Sequence, residues 1–276
     1  MFNTWENIRK TTPLIHHITN YVTVNDVANI TLACGASPVM ADDVDDATEI
    51  TQLATGLCLN IGTLNGRTIP TMLSAARKAK KLNHPVVLDP VGAGATTLRT
   101  QTALDILQTG SVTCVRGNIS EIKTLIHGTG NTKGVDAAAV DSVTEKNLES
   151  SCAFAKQAAQ QLNTIVAITG AIDLVADTKN CYIIRNGHPE MSRITGTGCQ
   201  CSALVAACIA ANTTKPLEAA AVAVMAMGLA GEIAHKHLLP HEGNATYRSR
   251  IIDTICHLTA EELNKGAKYE IRQYYR

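Results

Sequence analysis

The sequence predicts an α/β fold in which a mostly parallel central sheet is covered by helices. Short apolar, β-branched runs alternate with longer segments of helical periodicity, the pattern such a sheet requires. Two further segments, 202–211 and 216–235, are helical in length yet apolar nearly all round, which implies burial against a sheet or another subunit.

In chain order, strands are expected at 58–61, 86–89, 112–116, 165–169, 173–176 and 181–184. The last two flank the polar turn Asp177-Thr178-Lys179-Asn180, which predicts an antiparallel hairpin and makes the sheet mixed. A helix over 68–82 follows from the spacing of Ile69, Met72, Leu73, Ala76 and Ala79. It ends in Lys78-Ala79-Lys80-Lys81, and positive charge suits a helix carboxyl end. A second helix is expected over 145–162. The stretch 128–134 has loop composition, and no repeat, low-complexity segment or linker divides the chain, so 1–276 is read as one domain.

Composition limits the function classes. The 276 residues can bury a large core, and 45% hydrophobic against 17% charged residues excludes disorder. Aromatic residues make up 3%, so the core must rest on smaller side chains that each bury less area, and a subunit interface is expected to add burial. The 24 basic residues balance 24 acidic ones without any block of like charge, so no nucleic-acid partner is expected. The nine cysteines lie mostly in apolar runs such as Gly56-Leu57-Cys58-Leu59-Asn60, as reduced thiols of a cytoplasmic protein do. Cys199 and Cys201 are too close for a usual zinc pair. The amino terminus lacks the charged start and apolar core of a signal peptide. No membrane segment is expected, because the longest uncharged apolar stretch, 219–231, is shorter than the ~20 residues a membrane helix needs.

Open α/β sheets bind ligands beyond the carboxyl ends of their strands, and four such ends are rich in polar residues or glycine. The first is Thr195-Gly196-Thr197-Gly198-Cys199, ahead of an apolar helix. Its amides can meet an anion at the helix amino terminus, and the same field favours a Cys199 thiolate; a plain glycine-rich helix start with a buried cysteine fits equally well. The second is Leu88-Asp89-Pro90 with the glycine run to Thr96. Asp89 can hold Mg²⁺, or the Asp-Pro step simply makes a turn; the run lacks the Lys-Ser/Thr of a P-loop. The third is Arg116-Gly117-Asn118 with Glu121, where Arg116 can fork onto phosphate and Glu121 can be a second acid near the metal. The same residues fit Asn118 as a helix cap with Glu121 at its favoured third position. The fourth, Thr169-Gly170, is a hydroxyl and a glycine that suit a nucleotide or a turn.

Elsewhere, His16 and His17 are adjacent on an extended segment and point to opposite faces, and His235 and His237 are two apart on a helix, so neither pair is read as a metal site.

Six ordered motifs together resemble the hydroxyethylthiazole kinases, a thiamin-salvage family of the ribokinase-like superfamily. They are His16-x-Ile18-Thr19-Asn20, Gly35-Ala36-Ser37-Pro38-Val39-Met40, Asn60-Ile61-Gly62-Thr63-Leu64, Leu88 to Thr96, Arg116-Gly117-Asn118 with Glu121, and Thr195 to Cys199. The resemblance runs from about Pro13 past Ala203. It implies a three-layer ribokinase-like domain with helices on both faces, and a homotrimer with active sites between subunits. It implies ATP-dependent phosphorylation of the hydroxyl of 4-methyl-5-(2-hydroxyethyl)thiazole. Thiazole contacts fall on Met40, Gly196 and Asn25, ATP contacts on Arg116 and Thr169, and the Mg²⁺ region on Asp89 and Glu121. The catalytic loop falls on Thr197, Gly198 and Cys199, with cysteine where the wider superfamily has an aspartate base. Departures are Asp26, where the family often has an aromatic residue, and Gln200-Cys201 in place of an apolar pair. A pyrimidine, pyridoxal or sugar kinase should carry aspartate at 199. The other readings are an ATP-dependent dehydratase on the same fold and a non-catalytic binding protein.

Overall fold

The computed structural model describes residue 1 and residues 3–128 and 142–273. The strands are β1 (Leu14–Ile18), β2 (Ser37–Met40), β3 (Gly56–Asn60), β4 (Val86–Asp89), β5 (Val112–Gly117), β6 (Ile165–Ile168), β7 (Asp173–Ala176), β8 (Asn180–Ile184) and β9 (Tyr269–Gln273). They form one sheet in the order β2-β1-β3-β4-β5-β6-β7-β8-β9. The pairings from β2 through β6 are parallel, and those from β6 through β9 are antiparallel. The expected hairpin is the β7–β8 pair, with Ala176 opposite Cys181.

The helices are α1 (Asn3–Thr11), α2 (Val24–Ala33), α3 (Val44–Leu53), α4 (Thr68–Leu82), α5 (Thr97–Gln108), α6 (Ile119–His127), α7 (Leu148–Leu162), α8 (Thr197–Ala210), α9 (Pro216–Lys236), α10 (Asn244–His257) and α11 (Ala260–Gly266). They cover both faces of the sheet. Strand side chains alternate between two cores: Val87 and Cys58 join residues of α1, α2, α8, α9 and α10, whereas Val86, Leu88 and Leu57 join α4, α5 and α7. The central strands therefore read as continuous apolar runs, and all of β3 and β4 is buried. Three layers result, as the resemblance implied.

Several boundaries differ from expectation for local reasons. The helix expected at 202–211 begins at Thr197, because the glycine-rich run breaks the backbone at Gly196 (φ +91°) and the residues after it already form the first helical turn. The helix expected at 145–162 opens with a 3₁₀ turn over Glu145–Asn147, where Thr144 and Asn147 cap each other, before α7 starts at Leu148. Helix α4 matches its expected span and closes on Asn83 in the left-handed region, with Lys80 donating to the Thr109 carbonyl at 2.8 Å. The apolar stretch 219–231 belongs to a helix of 21 residues, long and apolar enough to cross a membrane by length and composition alone. Its most apolar window is 78% buried, packed on α8 and the sheet as the centre of one core. Apart from Gly128, the loop expected over 128–134 lies outside the described residues.

Candidate active site

Strand topology brings the carboxyl ends of β3, β4, β5 and β6 into one row facing the amino terminus of α8. These ends carry Asn60, Asp89, Arg116 and Thr169. Asn20 follows β1, and the glycine loop supplies Gly196, Thr197, Gly198 and Cys199.

Asp89 is fully buried at the centre of the row. Its Oδ2 accepts from Ser202 Oγ at 2.8 Å, from Asn60 Nδ2 at 3.0 Å and from Arg116 Nη1 at 3.3 Å, while Oδ1 is buried without a partner. Burial pushes the Asp89 carboxyl up, and Arg116, Ser202 and Asn60 offset this in part. For Arg116, burial opposes the charge, but Asp89 together with the nearby Cys201, Glu121 and Cys199 outweighs it, and the guanidinium is held more firmly protonated than usual. Arg116 Nη2 also donates to Thr169 Oγ1 at 2.7 Å, which fixes the plane of the guanidinium. Removing either member of such a buried ion pair costs about 3–5 kcal/mol, because the other is left uncompensated.

Gly198 lies directly against that plane: a Cβ there would stand 2.7 Å from Arg116 Nη1. Gly196 is required twice over, by its positive φ and by Thr23, whose Cγ2 would be 2.5 Å from a Cβ. Glu121 serves both of the roles open to it. It completes a capping box, accepting from Asn118 N at 2.8 Å while Asn118 Oδ1 accepts from Glu121 N at 2.8 Å. Its other oxygen accepts from Gly92 N at 2.9 Å and ties the loop after β4 to the site. Burial, then the nearby Asp89, push the Glu121 carboxyl up.

Cys199 departs from expectation. Its position in the first turn of α8 predicted a favoured thiolate, yet burial and the charge of Asp89 push the thiol up and outweigh the helix field. Its sulfur accepts from the side-chain amides of Asn20 and Asn60, each at 3.3 Å.

A cleft of about 710 Å³ opens beside these groups, lined by Arg116, Thr169, Thr197 and Gly198 and, farther out, by Asn186 and His188. That volume suits a nucleotide-sized ligand. An adjoining cleft of about 330 Å³ is lined by the 91–95 loop, Arg99 and Glu121, and shares Thr169 and Gly170 with the first. Of the residues expected to meet thiazole, Met40, Gly196 and Asn25, none lines either cleft. Met40 ends β2 half-buried against the core. Asn25 is exposed on α2, its Oδ1 accepting from Asn29 at 3.0 Å. Asp26, where an aromatic residue is usual in the resembled family, is buried and lies 3.7 Å from Arg248 on α10. Gln200, the other departure, is fully buried with neither side-chain polar atom partnered.

Among the described residues no group of three or more His, Cys, Asp or Glu side chains could enclose a metal. A Mg²⁺ ion needs less: it keeps several waters, binds substrate phosphates and takes one or two carboxylates. The unpartnered Asp89 Oδ1 and the backbone-anchored Glu121 fit that donor set. The four histidines of the two pairs each have their own partners. His16 bonds Thr51 and the Ala41 carbonyl, whereas His17 bonds Thr31. His235 stacks on His188 at 3.5 Å, while His237 bonds the Ile233 carbonyl.

Sequence reasoning assigned no role to Asn20, Asn60, Ser202 or Asp173. The first two are polar residues at or just beyond the ends of apolar strands, the same signal that singled out Asp89. Asp173 opens β7, lines the larger cleft and accepts from Gly170 N at 2.8 Å. Burial pushes its carboxyl up to about 7.

The model of the Hydroxyethylthiazole kinase family matches residues 5–261. A hydroxyethylthiazole kinase of Clostridium acetobutylicum is 54% identical over 265 residues, which cover 96% of this chain and 97% of that one. The solved structure of a hydroxyethylthiazole kinase protein from Pyrococcus horikoshii OT3 superposes with a TM-score of 0.87 at 34% identity, covering 99% of this chain and 98% of that one. An ADP/ATP-dependent NAD(P)H-hydrate dehydratase from Bacillus subtilis, crystallised with ATP and Mg²⁺, has a TM-score of 0.57 at 12% identity over 90% of each chain, and so shares the fold alone.

Proposed function

The chain belongs to the hydroxyethylthiazole kinase family, and we propose on that premise that the row from Asn60 to Thr169, with the loop at Cys199, is its active site. The reaction is ATP-dependent phosphorylation of the hydroxyl of 4-methyl-5-(2-hydroxyethyl)thiazole in thiamin salvage. One observation carries the placement of the site. The Asp89–Arg116–Thr169 chain of contacts lies beside the amino terminus of α8 at the wall of a cleft large enough for a nucleotide.

Phosphoryl transfer proceeds through a loose transition state, so positioning and charge stabilisation outweigh deprotonation. Arg116 and the backbone amides of Gly198 and Cys199 face the place where charge spreads over the transferring group, and they are already fixed before substrate arrives. Thr169 holds the Arg116 plane and lines the ATP cleft. When bound, Mg²⁺ would be held by Asp89 and Glu121 and would neutralise charge on the ATP phosphates. We assign Met40, Gly196 and Asn25 to the thiazole side from the family resemblance, with Cys199, Thr197 and Gly198 between it and the nucleotide side. Its raised thiol, with two amides already donating to the sulfur, suits a group that orients the acceptor hydroxyl more than one that removes its proton.

The acceptor side also supports a homotrimer with active sites at subunit interfaces. Tyr21 and Val22 stand 78% and 59% exposed just before Asn25, apolar surface of the kind that meets a partner. We take residues 1–276 as one kinase domain and place it in the cytoplasm, where nine cysteines outside any disulfide remain reduced.

Coupled ADP release with Mg²⁺, ATP and hydroxyethylthiazole, followed by mass spectrometry of the product, tests the reading. A phosphorylated thiazole that depends on Mg²⁺ is the expected result. ADP and inorganic phosphate without a phosphoester would overturn it in favour of hydrolysis or dehydration.

A further inference from the structure

We propose that Asn60 is the positioning residue that locks the Cys199 sulfur to the Asp89 carboxylate, and so aligns the acceptor side of the reaction with the phosphoryl side. This rests on the reading of the site as a phosphotransfer centre. The side chain of Asn60 uses all of its hydrogen-bonding capacity, two donated protons and two accepting lone pairs. Nδ2 donates to Asp89 Oδ2 at 3.0 Å and to Cys199 Sγ at 3.3 Å. Oδ1 accepts from Asn20 Nδ2 and from Gly62 N, each at 3.0 Å. Asn20 is tied in the same way: it donates to the sulfur at 3.3 Å, and its Oδ1 accepts from the amide and hydroxyl of Thr23, each at 3.1 Å.

This arrangement has a consequence for the sulfur. Two amide protons point at the sulfur, from Asn60 and Asn20, and the Thr23 side chain lies within hydrogen-bond reach of it as well. The orientation of the sulfur is therefore set by its neighbours, and the amides of Asn60 and Asn20 are two of them. Asn60 alone of the two also holds Asp89, so a shift of its side chain moves both halves of the site at once. Ser202 supplies the contrast. It donates to the same Asp89 oxygen at 2.8 Å, and the sulfur's two amide donors are elsewhere.

Two readouts separate this role from mere support of the fold. The first is a cycle of Asn60→Ala, Cys199→Ala and the double variant, with kcat and both KM values measured by ADP release. Asn60→Ala is expected to lower kcat by about tenfold or more with the ATP KM within about threefold, and to cost less than about threefold once Cys199 is already Ala. The second is the rate at which iodoacetamide alkylates Cys199, read by peptide mass spectrometry against exposed Cys256 in the same sample. Asn60→Ala is expected to change that ratio by about fivefold or more, whereas Ser202→Ala leaves it within about twofold. Equal loss of kcat in the presence and absence of the thiol, or equal change of Cys199 reactivity in Asn60→Ala and Ser202→Ala, overturns the proposal. Should Asn60→Ala not fold, Asn20→Ser is read against the same alkylation thresholds, since it too removes a donor from the sulfur. If the wild-type chain forms no phosphorylated alcohol, the functional reading fails while the alkylation ratio still decides the role of Asn60.

Discussion

On one side of Cys199 the polar groups are buried and bonded to one another, and on the other side the chain presents exposed residues. Toward ATP, Arg116 is held by Asp89 and Thr169, Glu121 by two backbone amides and Asp173 by Gly170. On the side proposed for the alcohol, Asn25 is exposed, and Tyr21 and Val22 stand in solvent. The nucleotide side is thus organised before any ligand arrives, which is what electrostatic catalysis requires, because fixed dipoles need no rearrangement during transfer. The alcohol side has an apolar rim suited to cover by another copy of the chain, as the proposed trimer would supply.

The largest effect that separates the two sides is expected at Asp89. Asp89→Asn keeps the shape and one acceptor oxygen but removes the charge that holds Arg116. We expect kcat to fall by about 10²–10³-fold, with the hydroxyethylthiazole KM little changed. Steady-state ADP release with each substrate varied in turn checks this. Loss confined to the thiazole KM would break the division between the sides.

A smaller effect tests the alcohol side. Tyr21→Glu puts a charge on the exposed rim, and burying it in a subunit contact without a partner is costly. Sedimentation velocity is expected to show a smaller species, and the hydroxyethylthiazole KM to rise by about tenfold, equivalent to roughly 1.4 kcal/mol. ATP affinity, measured with a non-hydrolysable analogue, should hold within about twofold, because the ATP cleft is lined by this chain's own residues. An unchanged assembly with an unchanged thiazole KM would show that the rim serves neither purpose.

What the sequence disclosed follows the same division. Asp89, Arg116 and Thr169 were legible because each ends an apolar strand, and parallel strands deliver their ends to one edge. The interior of the sheet was legible because buried strands are apolar runs. Strand β9 was not: Tyr269–Gln273 carries charge, its side chains are mostly exposed, and it sits at the sheet edge. Strand β1 was not read as a strand because His16 and His17 interrupt its apolar pattern, and their burial depends on Thr51, Ala41 and Thr31 elsewhere in the chain. The state of Cys199 was misread for a related reason. Its helix position is local and visible, but the burial and the Asp89 charge that oppose it arrive by topology. Asn20 and Asn60 stand at or just beyond strand ends, but they are uncharged amides, and what they bond is fixed by topology.

The smallest expected effect concerns Asp173, which lines the ATP cleft without being part of the Asp89 row. Its carboxyl titrates near 7 in the folded chain against an ordinary value of 3.8. Between these values the folded state holds a proton that the unfolded state has released. The stabilisation is therefore complete below about 3.8 and is lost as pH rises through about 7. His17 acts in the opposite direction, since burial lowers it from 6.5 to about 3 and stability falls as the medium is acidified below 6.5. The two limbs overlap between about pH 3.8 and 6.5, so the Asp173 contribution must be read as a difference between wild type and Asp173→Asn. Asparagine keeps an oxygen for Gly170 N and cannot ionise. The variant's Tm is expected to fall less than wild type between about pH 5 and pH 8, by about 4 °C. Its ATP KM should also lose the rise above about pH 7 that an ionised carboxylate in the cleft produces by repelling the polyphosphate. The thiazole KM should show no such difference, since Asp173 lines the nucleotide side alone of the two. A thiazole KM that followed the same pH curve would mean that the charge of Asp173 reaches across Cys199, and the two sides would then have to be treated as one electrostatic unit.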